Sequence, residues 1–167
     1  LLSRTILPGT SMKLSNWIRF TWDLTQLPAF ESALPEHYEI GPATAEDETE
    51  LRKIISSSFV LDPMWSPALQ EVTEKLEAWL ESAFASSHCI ILALRHGTRI
   101  IGASVLSTKP DADMHLIPGP CISTEYRNRG FGTRLLEQAL TRLRDAGLTQ
   151  AAGNRDLHFQ RVVHVVR

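Results

Sequence analysis

No stretch of this 167-residue sequence is apolar for long enough to cross a bilayer, which argues against a membrane-spanning helix. Cysteine is scarce as well. Cys89 and Cys121 are too few and too far apart for a disulfide framework, and both sit in apolar runs, so buried thiols in a reducing compartment are expected. A basic excess is missing: the formal net charge is −2, which argues against a dedicated nucleic-acid binder. Internal repeats, low-complexity tracts and Gly/Ser-rich linkers are all absent, so one domain with one core is expected. The residues after Met12, KLSNWIRFTWDLTQ, carry charges where a signal peptide has its apolar segment, and the expected location is cytoplasmic.

What is present is an ordinary globular composition, 43% apolar and 22% charged. Residues 1–11, LLSRTILPGTS, precede the first methionine without a helical or strand period. They read as a remnant of expression or upstream translated sequence outside the fold. Residues 12–37 form an N-terminal extension. In it Ile18, Phe20, Trp22 and Leu24 alternate with Arg19, Thr21, Asp23 and Thr25, the period of a half-buried strand. A short helix through Trp17, Phe20 and Leu24 competes with that reading. PAFESALP has room for one or two helical turns before Pro35.

From residue 38 the order of elements becomes regular. Tyr38–Ile40 reads as a short strand, and Thr44 with Asp47 as the start of a helix whose inner face is Leu51, Ile54, Ile55 and Phe59. A second helix opens at Ser66–Pro67 and carries the stripe Leu69, Val72, Leu76, Leu80 and Phe84. CIILALRHGTRIIGASVL is two apolar strands around His96–Gly97, a hairpin. A polar loop leads to a third strand, HLIPGPCI, then a loop, a helix and a final strand from Leu148. The fold class expected is therefore α/β of the layered α+β kind, a mixed and mostly antiparallel sheet flanked by helices.

The segment CISTEYRNRGFGTRLLEQAL carries the chemistry. A loop between a strand and a helix start presents backbone N–H groups with no intrahelical partner, and the helix dipole adds a field that favours an anion. Gly130 and Gly132 permit close approach of the main chain to such a ligand. A Gly-Lys-Ser/Thr triphosphate loop is excluded, since that triplet is absent. A dinucleotide loop is excluded because Leu135 stands where the third glycine belongs. Arg127-Asn128-Arg129-Gly130-Phe131-Gly132 fits Arg/Gln-x-x-Gly-x-Gly/Ala instead, and residues 122–132, ISTEYRNRGFG, resemble the acetyl-coenzyme-A loop of the GNAT superfamily of N-acyltransferases.

The resemblance covers about residues 38–152 in element order and implies a GNAT-like domain over residues 38–167. It implies that the amides of Arg127, Asn128, Arg129, Gly130, Phe131, Gly132 and Thr133 hold the coenzyme pyrophosphate. Cys121, Ile122 and Ser123 then pair with the pantetheine arm, on a strand that Pro118-Gly119-Pro120 splays from its neighbour. Thr124 stands where the family commonly has proline. The resemblance further implies an N-acetyltransferase that moves an acetyl group from acetyl-CoA to a primary amine, by direct transfer and with no metal. The alternative is a non-catalytic acyl-CoA-binding module or an impaired enzyme. For the oxyanion, the amide of Ile122 is the candidate, with that of Cys121 next. For a base, Asp113 and His115 are the nearest titratable groups, and His158 and His164 lie further on. Cys121 as a nucleophile is the weaker option, because direct transfer needs none.

After LTQAAGN the family normally continues with a helix and two more strands, whereas this sequence runs DLHFQRVVHVVR. The C-terminal end is atypical or truncated by that comparison. An open sheet edge there invites another chain, so a homodimer, with exchanged C-terminal strands as one form of it, is expected. FVLDPMW, residues 59–65, is a candidate for the acceptor side.

Overall fold

A computed structural model describes residues 3–7, 17–30, 33–60 and 69–156. In chain order the elements are β1 (Ser3–Leu7), β2 (Trp17–Asp23), β3 (Tyr38–Pro42), α1 (Glu48–Val60), α2 (Leu69–Ala85), β4 (Cys89–His96), β5 (Arg99–Ser107), β6 (Cys121–Ile122), α3 (Phe131–Asp145) and β7 (Gln150–Asp156). The expected fold class is the observed one. Four strands in the order β3-β4-β5-β6 make one antiparallel sheet, and three in the order β1-β2-β7 make a second.

Two apolar layers hold the sheets. Leu51, Ile54, Ile55, Leu80 and Ala83 of α1 and α2 pack on Ala93, Ala103, Val105 and Cys121. On the other face Leu135, Ala139, Leu140 and Leu143 of α3 pack on Leu92, Leu94, Leu106 and Ala151. Each fully buried leucine of these layers contributes roughly 1.5–3 kcal/mol. Local chemistry fixes the ends of the helices. Asp47 Oδ2 accepts from the Thr44 N–H at 2.7 Å and from its hydroxyl at 3.0 Å, ahead of α1. At the other end of α3, the Leu148 N–H donates to Leu143 and the Gly147 N–H to Arg144, with Gly147 at φ +95°. That is the glycine-terminated stop that the sequence foresees.

Four expectations need correction. Residues 3–7 belong to the fold: β1 pairs along its whole length with β2, from Ser3↔Thr21 to Leu7↔Trp17. PAFESALP shows no helical turn at residues 28–30 and 33–35, and its middle, residues 31–32, lies outside the described residues; a 3-10 turn at Leu24–Gln26, capped by Asp23 Oδ1, comes earlier. The third strand of the run shrinks to Cys121–Ile122, since Pro118 and Pro120 supply no ladder donor. Leu116 keeps a single bridge to Leu106. Lastly, the inner edge of β7 is not open. β2 covers it through seven register pairs, Trp17↔Asp156 to Asp23↔Gln150, so that edge gives no ground for an exchanged dimer. The strand that pairs with β7 comes from the chain's own N-terminal segment. Residues 61–68 and 157–167, with Ser66, Pro67, His158, His164 and most of FVLDPMW, lie outside the described residues.

Candidate functional site

β6, the loop after it and the start of α3 converge on one point. Ser123 leaves β6 with its N–H on the Ile101 carbonyl at 2.8 Å, and a 3-10 turn follows at Thr124–Tyr126. Asn128 and Gly130 then adopt left-handed backbone angles, φ +60° and +81°, and α3 starts at Phe131. From Asn128 to Thr133 the amide N–H groups find no acceptor among the described residues; the next amide, of Arg134, closes on Gly130 at 3.2 Å. Consecutive donors at a helix start, reached through left-handed residues, form a concave nest for an oxyanion such as a pyrophosphate.

One expected member of the nest, Arg127, is used otherwise. The Arg127 N–H donates to the Thr124 carbonyl at 3.2 Å, and its Nε donates to the Ile122 carbonyl at 2.8 Å. Arg127 therefore ties the loop to β6. Arg129 is exposed, with its guanidinium 5.5 Å from the centre of the Tyr126 ring and no carboxylate partner among the described residues. It remains available to an anion.

β6 supplies the second half of the site. Its register is Gly102↔Ile122 and Ala103↔Cys121, while the Ser123 N–H bonds Ile101. Antiparallel alternation then turns the N–H and C=O of Ile122 away from β5. The carbonyl meets Arg127, and the N–H lies on the side of β6 that has no strand partner, a gap in the pairing between β6 and β7. The gap has a defined root. The N–H groups of His115 and Leu116 both reach the Ala152 carbonyl, at 2.8 and 3.3 Å, and beyond them no ladder joins β6 to β7 among the described residues. Pro118-Gly119-Pro120 lies between that root and β6, with a cis bond between Ile117 and Pro118.

The titratable candidates sit around this root, each with its partners already taken. His115 is 5% exposed. Its Nδ1 accepts from the Ala152 N–H at 3.0 Å, so the proton is on Nε2, which donates to the Lys109 carbonyl at 3.1 Å. Burial, aided by the charge of Arg19, holds its pKa below the ordinary value, against a pull upward from the Lys109 bond. A neutral ring with both nitrogens engaged clips β7 to the chain before β6; it has no free lone pair for a base. Asp113 lies on the surface, its carboxylate on Arg19 Nη1 at 2.8 Å and its carbonyl on Nη2 at 2.6 Å, anchoring β2. Cys121 is buried, its thiol pushed up to about 11 mainly by burial. It donates to the Gly119 carbonyl at 3.4 Å and is no nucleophile at neutral pH.

The sequence reading overlooks an aromatic platform beneath the loop. Tyr38 of β3 and His96 of β4 stack at 4.3 Å, Tyr38 stacks on Phe131 at 4.6 Å, and Tyr126 meets His96 Nδ1 through its hydroxyl at 3.0 Å. Tyr38 and His96 are direct cross-strand partners, which only the β3–β4 register reveals. A cleft of about 260 Å³ lies elsewhere, between α2 and the far ends of β4 and β5, with Trp79, Cys89, Ser107 and Ile117 on its walls. It opens at the other end of β5 from the nest and does not belong to the anion site. Among the described residues no cluster of three or more His, Cys, Asp or Glu is placed to hold a metal, and no helix is long and apolar enough to cross a membrane.

Comparison with known proteins agrees with this arrangement. A family model described as acetyltransferase (GNAT) family matches residues 49–160. Among solved structures, a GCN5-related N-acetyltransferase from Ralstonia eutropha JMP134 is similar at 16% identity and TM-score 0.52, over 67% of this chain and 79% of that one. AAC(6')-Iy, solved with the bisubstrate analogue CoA-S-monomethyl-acetylneamine, gives 16% identity and TM-score 0.50 over 68% and 76%. A GCN5-related glucosamine N-acetyltransferase region of a fungal multi-domain GH3 β-N-acetylglucosaminidase gives 14% identity and TM-score 0.59, over 98% of this chain and 20% of that one. No curated protein matches. With more than half of its residues matched by the family model, the chain belongs to the GNAT family of acetyltransferases.

Proposed function

We propose that the protein is an N-acetyltransferase that uses acetyl-CoA and a primary amine, by direct transfer in a ternary complex. The observation that carries the reading is the run of unpartnered amides from Asn128 to Thr133 at the start of α3, beside an Ile122 N–H turned into the gap between β6 and β7. These amides would hold the coenzyme pyrophosphate, and β6 would pair with the pantetheine arm. Acetyl-CoA supplies an activated acetyl group as a thioester. Ile122 N–H, turned away from β5 on the last strand of its sheet, would receive the charge that develops on the carbonyl oxygen. The buried, protonated Cys121 fits a reaction with no acyl-enzyme.

A second reading, a coenzyme-binding protein without transferase activity, is favoured by one observation. His115, Asp113 and Cys121, the titratable groups around the gap, are each committed to structure. Calorimetry with coenzyme A, run beside thiol release from acetyl-CoA over a panel of amines, separates the readings. Binding with amine-dependent thiol release supports the transferase. Binding without release from any amine favours the second reading, and no binding overturns both. The cytoplasmic location and the homodimer stay with the proposal, to be tested by fractionation and light scattering.

A further inference from the structure

The nest poses a physical problem of its own. Six neighbouring N–H dipoles converge with no acceptor among the described residues, and Asn128 holds a left-handed angle that a non-glycine residue adopts at a cost. Left alone, such a loop would turn its amides outward to water. Among the described residues, the two bonds of Arg127 and the Arg134 N–H on the Gly130 carbonyl resist this within the loop. The remaining restraint comes from below, at both ends of the segment 127–130. Tyr126 precedes it and is bonded to His96 at 3.0 Å, with the rings 5.7 Å apart and edge-on. Phe131 follows it and stacks on Tyr38 at 4.6 Å. Tyr38 and His96 are themselves stacked, 4° from parallel, and paired across β3 and β4. The rings thus form a closed circuit from sheet to loop to helix start and back. Arg99 and Arg129 place their guanidinium groups 5.9 and 5.5 Å from the Tyr126 ring centre.

We infer that His96 and Tyr126 are positioning residues: their hydrogen bond, seated on the Tyr38–Phe131 stack, holds residues 127–130 in the anion-binding shape before any ligand arrives. The inference rests on the proposed coenzyme site and adds the device that prepares it. Preorganisation of this kind raises affinity by removing the ordering cost at binding. A tyrosine hydroxyl both donates and accepts, so the bond survives either tautomer of His96. Neither residue needs to touch the coenzyme.

The test uses the full chain with Tyr126→Phe, which removes one hydroxyl, and His96→Phe, which keeps a ring on Tyr38. Backbone order parameters of the ligand-free protein read the loop directly by NMR, and calorimetry with coenzyme A reads affinity. The expected result is lower order at residues 127–130 in both variants and an affinity loss of about fivefold to tenfold in each, the scale of one hydrogen bond. The double variant should be no worse than either single one, because the same bond is removed once. The urea midpoint of the ligand-free protein should change little. Unchanged loop order overturns the inference, as does an affinity loss that tracks a general drop in the urea midpoint. If the wild-type chain binds no coenzyme A, the proposed function fails, and the order parameters alone decide whether the brace exists.

Discussion

The sequence offers His115 as a candidate base and Cys121 as a buried thiol and only a weak candidate nucleophile; the fold buries Cys121 as expected and gives His115 a different task. A histidine two residues after an aspartate, beside a proposed acyl slot, carries the same letters whether it abstracts a proton or clips two strands. Its partners, the Ala152 N–H and the Lys109 carbonyl, are backbone atoms, and backbone atoms leave no trace in the side-chain pattern. The clip has a pH signature. Because burial lowers the pKa of His115 below its ordinary 6.5, the folded state prefers the neutral ring. Its contribution is complete above that value and is lost as the pH falls through 6.5 toward the folded pKa. Replacing His115 with Gln should lower stability at neutral pH by about 1–3 kcal/mol. Urea midpoints between pH 7.5 and about pH 5 should also fall less steeply in the variant than in the wild type. Parallel curves would reject the assignment. Cys121 gives a second test. With a thiol at about 11, less than about one part in a thousand is thiolate at pH 8. Iodoacetamide should modify the half-buried Cys89 in the native protein and Cys121 only after unfolding, as read by peptide mass spectrometry.

At the scale of elements, the loop and α3 were legible because their signals are local. Gly130 and Gly132 stand at the turn, an apolar stripe runs through Leu135, Leu136, Ala139, Leu140 and Leu143, and Gly147 closes the helix; each needs only neighbouring residues to be read. The platform of Tyr38, His96, Tyr126 and Phe131 was illegible, since it joins four elements whose register the sequence does not state. Glycines separate the local from the non-local cause. At Gly130 a Cβ would meet nothing within 4 Å, but φ is +81°. Gly130→Ala should therefore cost about 1–2 kcal/mol through backbone strain, and lower coenzyme affinity by reshaping the nest. At Gly102 the angle is ordinary and the space is not: a Cβ would lie 2.8 Å from Ile122 Cδ1 and 3.1 Å from the Cys121 carbonyl. Gly102→Ala should push β6 outward at a cost of about 1–3 kcal/mol, moving the wall of the gap. Gly119, with open space and no positive φ, is the control and should tolerate alanine within about 0.5 kcal/mol. Thermal unfolding and coenzyme calorimetry on the three variants rank them; equal behaviour at Gly119 and Gly130 would remove the special role of the left-handed turn.

For the molecule as a whole, the informative fact is which segment covers β7. Residues 1–11 carry no period that marks them as part of the fold, and the family resemblance asks for two more strands after LTQAAGN, because a family's element order is read along the chain and pairing is not. The alternation of Phe20, Trp22 and Leu24 was visible, but nothing in it names the partner strand. In the fold, Phe20 and Leu24 are buried, the Leu24 N–H reaches the Thr149 carbonyl at 2.9 Å, and Arg19 ties β2 to Asp113 outside the sheet. The surface pair is worth at most about 1 kcal/mol, so Arg19→Ala alone should leave the hairpin in place. The strand ladder and the two buried side chains carry the attachment. Removing residues 1–24 would strip both and bare the N–H and C=O groups along β7, the kind of edge that recruits another chain. The expected outcome is a full chain whose β7 edge drives no association, and a truncated chain that self-associates through that edge. Light scattering behind size exclusion, at several concentrations, reads the difference. A truncated chain that stays monomeric with unchanged circular dichroism would mean that the N-terminal hairpin is an ornament of this fold and not its closing part.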